Sequence, residues 1–156
     1  MTKVYFETAE CFTDQANSEQ MAGLLKEAQF EITLNQEETD VIIINTCTSK
    51  ESSESELYEK LKELKGSYKI VILTGCISQS NPKKFKGYPI IGTNQIHKIV
   101  EVVEEALNDN IVRELDINEK LSLNLPIIRT NPIIEIIPIS RGCLDFCTFC
   151  ETKSAR

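Results

Sequence analysis

Nothing in this 156-residue sequence approaches a membrane span. The longest apolar runs, Val41 to Ile44 and Ile70 to Leu73, are four residues each, against about 20 needed to cross a bilayer. The opening Met1-Thr2-Lys3-Val4-Tyr5-Phe6 also lacks a signal-peptide pattern. Both absences point to a cytoplasmic protein. Positive charge is scarce: 17 Lys and Arg stand against 24 Asp and Glu, for a net charge of -7. Phosphate neutralisation supplies most of a protein's affinity for nucleic acid, and no basic stripe is visible. Any RNA contact is therefore expected mostly elsewhere, or to be local; Lys83, Lys84 and Lys86 read as ordinary solvated surface. Histidine occurs once, at His97, and is read as a surface or cap residue with no assigned role. No G-x-G-x-x-G turn follows the first strand-like stretch, so a dinucleotide is not indicated.

What is present suits a soluble domain or a little more, with 41% hydrophobic and 26% charged residues. Val4 to Thr8 is β-branched and aromatic and predicts a first strand. Asn17 reads as a helix cap with Gln20 three positions on, and Met21, Leu24, Leu25 and Ala28 repeat at helical spacing as a core face. A weaker strand over Phe30 to Leu34 and a polar turn over Asn35 to Asp40 follow. Val41 to Asn45, apolar without a break through Ile44, reads as a strand covered on both faces of a parallel sheet. A helix is expected from about Ser53 to Lys65, with Leu57, Leu61 and Leu64 inward and Gly66 as its stop. Lys69 to Thr74 predicts the next strand and Pro89 to Gly92 a short last one. Thr93 or Asn94 is expected to cap a helix with Ile96, Ile99, Val100, Val103 and Leu107 in one stripe.

Strands alternating with helices imply parallel pairing through right-handed crossovers. The expected fold is an open, parallel flavodoxin-like or Rossmann-like α/β sheet with flanking helices over residues 1–108. Residues 109–131 read as a linker, with Asn, Asp, mixed charges and Pro126. Residues 132–156 open on a fresh apolar strand, Ile133 to Ile139, which Pro138 should shorten or distort.

Six cysteines in a cytoplasmic chain read as metal or redox ligands before disulfides. Cys143, Cys147 and Cys150 form a C-x3-C-x2-C triple with Phe149 just before the last. Three thiolates so close can hold three corners of a 4Fe-4S cube and leave one iron without a protein ligand. A zinc site or three unrelated thiols is the alternative, but zinc favours two separated pairs making four ligands. Cys11, Cys47 and Cys76 each fall just past the carboxyl end of an expected strand. Those ends share one edge of an open parallel sheet, where ligands bind, so three thiolates there can hold a second cube. Ordinary burial of cysteine is the competing account.

The chain resembles the methylthiotransferase family of radical S-adenosylmethionine (SAM) enzymes. The matching stretches are Glu7-Thr8-Ala9-Glu10-Cys11 with Asn17-Ser18-Glu19, Ile44-Asn45-Thr46-Cys47-Thr48, Thr74-Gly75-Cys76, Gly92-Thr93-Asn94-Gln95-Ile96, and Gly142-Cys143 through Cys150. The resemblance assigns Cys11, Cys47 and Cys76 to an auxiliary 4Fe-4S cluster, and Cys143, Cys147 and Cys150 to a SAM-binding one. It implies that Phe149 flanks the SAM adenine, with packing against a barrel as the alternative. Residues 132–156 become the start of a truncated radical SAM barrel, and residues 1–108 the family's N-terminal domain. Ile134 to Ile139 and the ending Thr152-Lys153-Ser154-Ala155-Arg156 look most like the archaeal and eukaryotic branch, similar to enzymes acting on threonylcarbamoyladenosine beside the tRNA anticodon.

For a complete enzyme the resemblance implies reductive cleavage of SAM, hydrogen abstraction from carbon 2 of the modified adenine, and delivery of a methylthio group there. It implies tRNA as substrate and an electron donor such as flavodoxin or ferredoxin. The family usually has glycine where Glu10 precedes the first cysteine; a carboxylate there should lower the cluster's reduction potential. The chain stops at Arg156, without further barrel strands or the family's RNA-binding TRAM domain. It therefore reads as the first piece of an enzyme, inactive alone, with a separate C-terminal chain as one way to complete it. A cobalamin-dependent relative is disfavoured, because no D-x-H-x-x-G motif is present. A non-catalytic iron–sulfur fragment is the alternative from another class.

Overall fold

The computed structural model describes residues 1–9, 11–48, 53–116, 124–140, 142–145, 147–150, 153 and 155. Glu10, and Thr152, Ser154 and Arg156 of the family-like ending, lie outside the described residues, as does part of the expected linker.

The apolar runs form the strands. In order, β1 (Lys3–Thr8), β2 (Glu31–Ile32), β3 (Val41–Thr46), β4 (Ile70–Gly75), β5 (Ile90–Ile91) and β6 (Arg113–Glu114) build one sheet. Its order is β2-β1-β3-β4-β5-β6, and every pairing is parallel. This is the flavodoxin-like order with a sixth strand added at the edge. The helices are α1 (Phe12–Glu27), α2 (Ser53–Leu64), α3 (Cys76–Ser80) and α4 (Ile99–Leu107).

Alternation along the strands splits the core in two. Val41, Ile43 and Ile72 point to the face covered by α1 and α4, against Met21, Leu25, Ile99, Val102 and Val103. Ile42, Ile44, Val71 and Leu73 point to the other face, against Leu57 and Leu61 of α2 and Ile77 of α3. Central strands buried on both faces explain why β3 and β4 each open on four apolar residues in a row. Ile72 is fully buried in β4, so Ile72→Ala is expected to cost about 2–5 kcal/mol. Urea unfolding should show a lowered midpoint with an unchanged slope. No helix among the described residues is long and apolar enough to cross a membrane.

Several local expectations are corrected. Asn17 does not cap α1: the helix starts at Phe12, with Cys11 at the cap position, and Asn17 is buried inside it. A capping preference marks a residue suited to a helix end, but this end is set by the turn leaving β1, which puts Cys11 at the cap. Neither Thr93 nor Asn94 caps α4, because a 3-10 turn over Ile96–Lys98 intervenes. Along α4, Val102 and Ala106 face the core, and Leu107 is exposed. The segment expected as a linker contains β6, whose polar Arg113 and Glu114 carry no strand signal. Edge pairing to Ile90 and Ile91 makes it one, with the Arg113 guanidinium donating to the carbonyls of Pro82 and Phe85.

The strand expected over Ile133–Ile139 does not form, and Ile133 and Ile139 stay more than 90% exposed. A strand needs a neighbour for its backbone groups. Pro138 lacks one donor, and no described strand lies alongside.

Candidate metal centre

The strand order brings the first three cysteines to one edge. β1, β3 and β4 are neighbours, and adjacent strands lie about 4.8 Å apart. Cys11 ends the turn after β1, Cys47 directly follows Thr46 of β3, and Cys76 directly follows Gly75 of β4. All three therefore lie at the carboxyl edge. Cys11 and Cys47 flank the β1/β3 boundary, where this order reverses and where such sheets take ligands. Cys47 and Cys76 are buried and Cys11 is partly exposed.

The sulfurs of Cys11 and Cys47 and a carboxylate oxygen of Asp14 all lie within 4.8 Å of one another. Asp14 is fully buried. It is the residue that sequence reasoning missed. Its signal is the spacing: three positions past Cys11 on α1 puts it one turn on, over the same edge. Thiolates and a carboxylate at that range repel, and a cation among them offsets the repulsion. The group does not include Cys76, which sits one strand further along.

The donor chemistry fits an iron–sulfur cluster. Each thiolate of a cluster binds a different iron, so cluster ligands stand further apart than those of a single ion. The close pair with Asp14 alone has single-ion spacing.

Hydrogen bonds hold these loops. Asn45 Nδ2 donates to the Asp14 carbonyl at 2.7 Å and to Ser18 Oγ at 2.9 Å. The Thr8 hydroxyl donates to the same Ser18 oxygen at 2.8 Å, and Thr46 Oγ1 donates to the Thr74 carbonyl at 2.8 Å. Gly75 has φ +90°, and a Cβ there would stand 2.2 Å from the Thr46 carbonyl oxygen. Glycine is what lets β4 turn directly into Cys76.

Cys143 and Cys147 are exposed and Cys150 is partly so. The Asp145 amide donates to Cys143 Sγ at 3.4 Å, and the Cys150 amide to the Cys147 carbonyl at 3.2 Å. Phe149 is 87% exposed. Just beyond this loop, Ala155 is fully buried, and its carbonyl accepts from the Thr93 hydroxyl. Thr93 follows β5, so the loop is tethered at the carboxyl edge that carries Cys47 and Cys76. An open groove of about 480 Å³ lies at the opposite edge, lined by Leu64, Lys69, Tyr88 and Asn110 among others. No cysteine lines it.

A family model described as "Uncharacterized protein family UPF0004" matches residues 3–91, more than half of the chain. The mouse protein named threonylcarbamoyladenosine tRNA methylthiotransferase is 40% identical over 99% of this chain and 28% of its own length. The human protein of the same name is 39% identical over the same shares. A Pyrococcus abyssi protein named as probably that enzyme is 34% identical over 100% of this chain and 38% of its own length. The chain thus spans about 28% of the length of the mouse and human relatives. With β1 to β5 and the first three cysteines inside the matched residues, the chain belongs to the UPF0004 family, the N-terminal family of the methylthiotransferases.

Proposed function

We propose that this chain is the N-terminal part of a tRNA methylthiotransferase. The enzyme adds a methylthio group to carbon 2 of threonylcarbamoyladenosine next to the anticodon, using two 4Fe-4S clusters and SAM. The observation that carries the reading is the convergence of Cys11, Cys47 and Cys76 on one sheet edge, with the second cysteine loop tethered to that same edge. The names of the relatives support the substrate.

In this reading Cys11, Cys47 and Cys76 hold the auxiliary cluster, and Cys143, Cys147 and Cys150 hold the cluster that takes SAM. When bound, the two clusters supply the electron that cleaves SAM and the iron that carries the transferred sulfur. The protein's own part is placement. The buried Cys47 and Cys76 keep water from one side of the site, and the Asn45 and Ser18 bonds fix the turn carrying Cys11 and Asp14. Exposed Cys143, Cys147 and Phe149 leave the second loop open to a small molecule, with Phe149 beside the SAM adenine. Residues 132–156 begin a radical SAM domain. The bare apolar side chains of Ile133, Ile137 and Ile139 are surface for further strands to cover.

The enzyme works in the cytoplasm, with flavodoxin or ferredoxin as electron donor and tRNA bound mainly by parts beyond this chain. Adding SAM to anaerobically reconstituted protein should alter the Mössbauer and EPR signature of one cluster and leave the other unchanged. Spectra indifferent to SAM would overturn the assignment of the second loop. The chain alone should not methylthiolate tRNA, and turnover by it would refute the division of labour with a missing part.

A further inference from the structure

Glu19 lies eight residues past Cys11 on α1, about 12 Å along the helix at 1.5 Å per residue. It is only 2% exposed. A buried carboxylate is costly unless its oxygens find donors. Here the donors come from a segment more than 100 residues away. The Thr130 amide and hydroxyl both donate to Oε1 at 2.9 Å, and Arg129 Nη1 reaches Oε2 at 3.2 Å. The Ile128 amide donates to the Glu19 backbone carbonyl at 3.0 Å.

One turn further along α1, Gly23 gives an independent sign of the same seat. A Cβ on Gly23 would stand 2.2 Å from the Pro126 carbonyl oxygen, so the segment's backbone lies directly on the helix. Arg129 also pairs with Glu135, which carries the anchorage onward toward Cys143. At the far end of the loop, Thr93 holds Ala155. The stretch bearing Cys143, Cys147 and Cys150 is therefore fastened at both ends to the domain that bears Cys11, Cys47 and Cys76.

We propose that Glu19 is a positioning residue whose carboxylate fastens residues 128–130 to α1 and so sets where the Cys143–Cys150 loop stands relative to the first three cysteines. The latch is a property of the fold; its effect on two metal clusters rests on the function proposed above. It ties the approach to the second cysteine group to the helix that follows Cys11, and so shortens the stretch ahead of Cys143 to residues 131–142.

The first test is native-state hydrogen exchange. Glu19→Ala should speed exchange of the Ile128 and Thr130 amides about tenfold or more, the scale of losing charge-assisted bonds. The Ile43 and Ile72 amides should keep their protection. Glu19→Gln retains acceptors for Thr130 but loses the charge facing Arg129, and should fall between. If Glu19→Ala does not fold, Thr130→Val removes one bond from the other side and should give a smaller rise at Thr130. The second test is pulsed EPR of reconstituted protein, where Glu19→Ala should weaken or broaden the magnetic interaction between clusters at unchanged iron content. Unaltered exchange at residues 128 and 130, or faster exchange throughout the sheet, would overturn the latch. A freed segment with an unaltered inter-cluster interaction would overturn its positioning role. Wild-type protein that binds no iron would sink the proposed function, while the exchange result would still judge the latch.

Discussion

Cys47→Ala is expected to halve the iron of anaerobically reconstituted protein, from about eight atoms to about four, two cubes against one. Cys47 opens the turn after β3, between the ends of β1 and β4. Its loss would leave Cys11 and Cys76 on strands that are not neighbours, with the middle ligand gone. The Cys143–Cys150 loop shares no backbone with that edge, so its cluster should remain and still respond to SAM. Replacing a small buried thiol by a methyl group disturbs little packing, which keeps the variant folded and makes the iron count interpretable. Iron quantitation with Mössbauer spectroscopy reads the result. Loss of all iron, or of none, would contradict two separate sites.

Gly75→Ala should cost about 2–4 kcal/mol of stability and displace Cys76. At φ +90° and ψ -169°, Gly75 occupies backbone space that is essentially reserved for glycine. A methyl group there would meet the Thr46 carbonyl at 2.2 Å and Asn45 Oδ1 at 2.6 Å. The first is strand backbone paired in the sheet and cannot yield cheaply. Gly66→Ala supplies the comparison: its φ is +93°, but nothing lies within 4 Å of the added carbon. It should lose only about 1–2 kcal/mol, the cost of the left-handed conformation itself. The difference in urea midpoints between the two variants reports the contact together with the more restricted backbone of Gly75. Gly75→Ala should also bind less iron at the first site, because its strain falls between the paired Thr74 and the cysteine. Equal losses for the two variants would show that Thr46 and Asn45 shift aside easily.

The alternation of strands and helices was legible because it is written in local periodicity. Val41–Thr46 and Ile70–Gly75 announce buried parallel strands by opening on four consecutive apolar residues each, and Gly66 and Gly75 mark turns that need positive φ. The cysteines were legible as strand-end residues for the same reason. Asn17 misled because its side chain suits a helix end, while α1 begins at Phe12, just past Cys11, and buries Asp14, Asn17, Ser18 and Glu19. Those four polar residues have no apolar spacing to read. Two of them are met inside by distant groups, Ser18 by Asn45 and Glu19 by Thr130. Ile133–Ile139 misled in the opposite sense, since apolar composition favours a strand but cannot provide its neighbour.

The sequence by itself determined that β1 to β5 become strands, that α1, α2 and α4 alternate with them, and that three cysteines fall just beyond strand ends. Only the tertiary structure decided that β1, β3 and β4 lie side by side, that Asp14 joins Cys11 and Cys47, and that Glu19 seats a strap from the far end of the chain. The physical reason is range. Backbone conformation and amphipathic spacing act over a few residues and leave a pattern in the chain. Strand order and the pairing of buried polar groups arise between segments tens to a hundred residues apart, and no local pattern records which of them will meet.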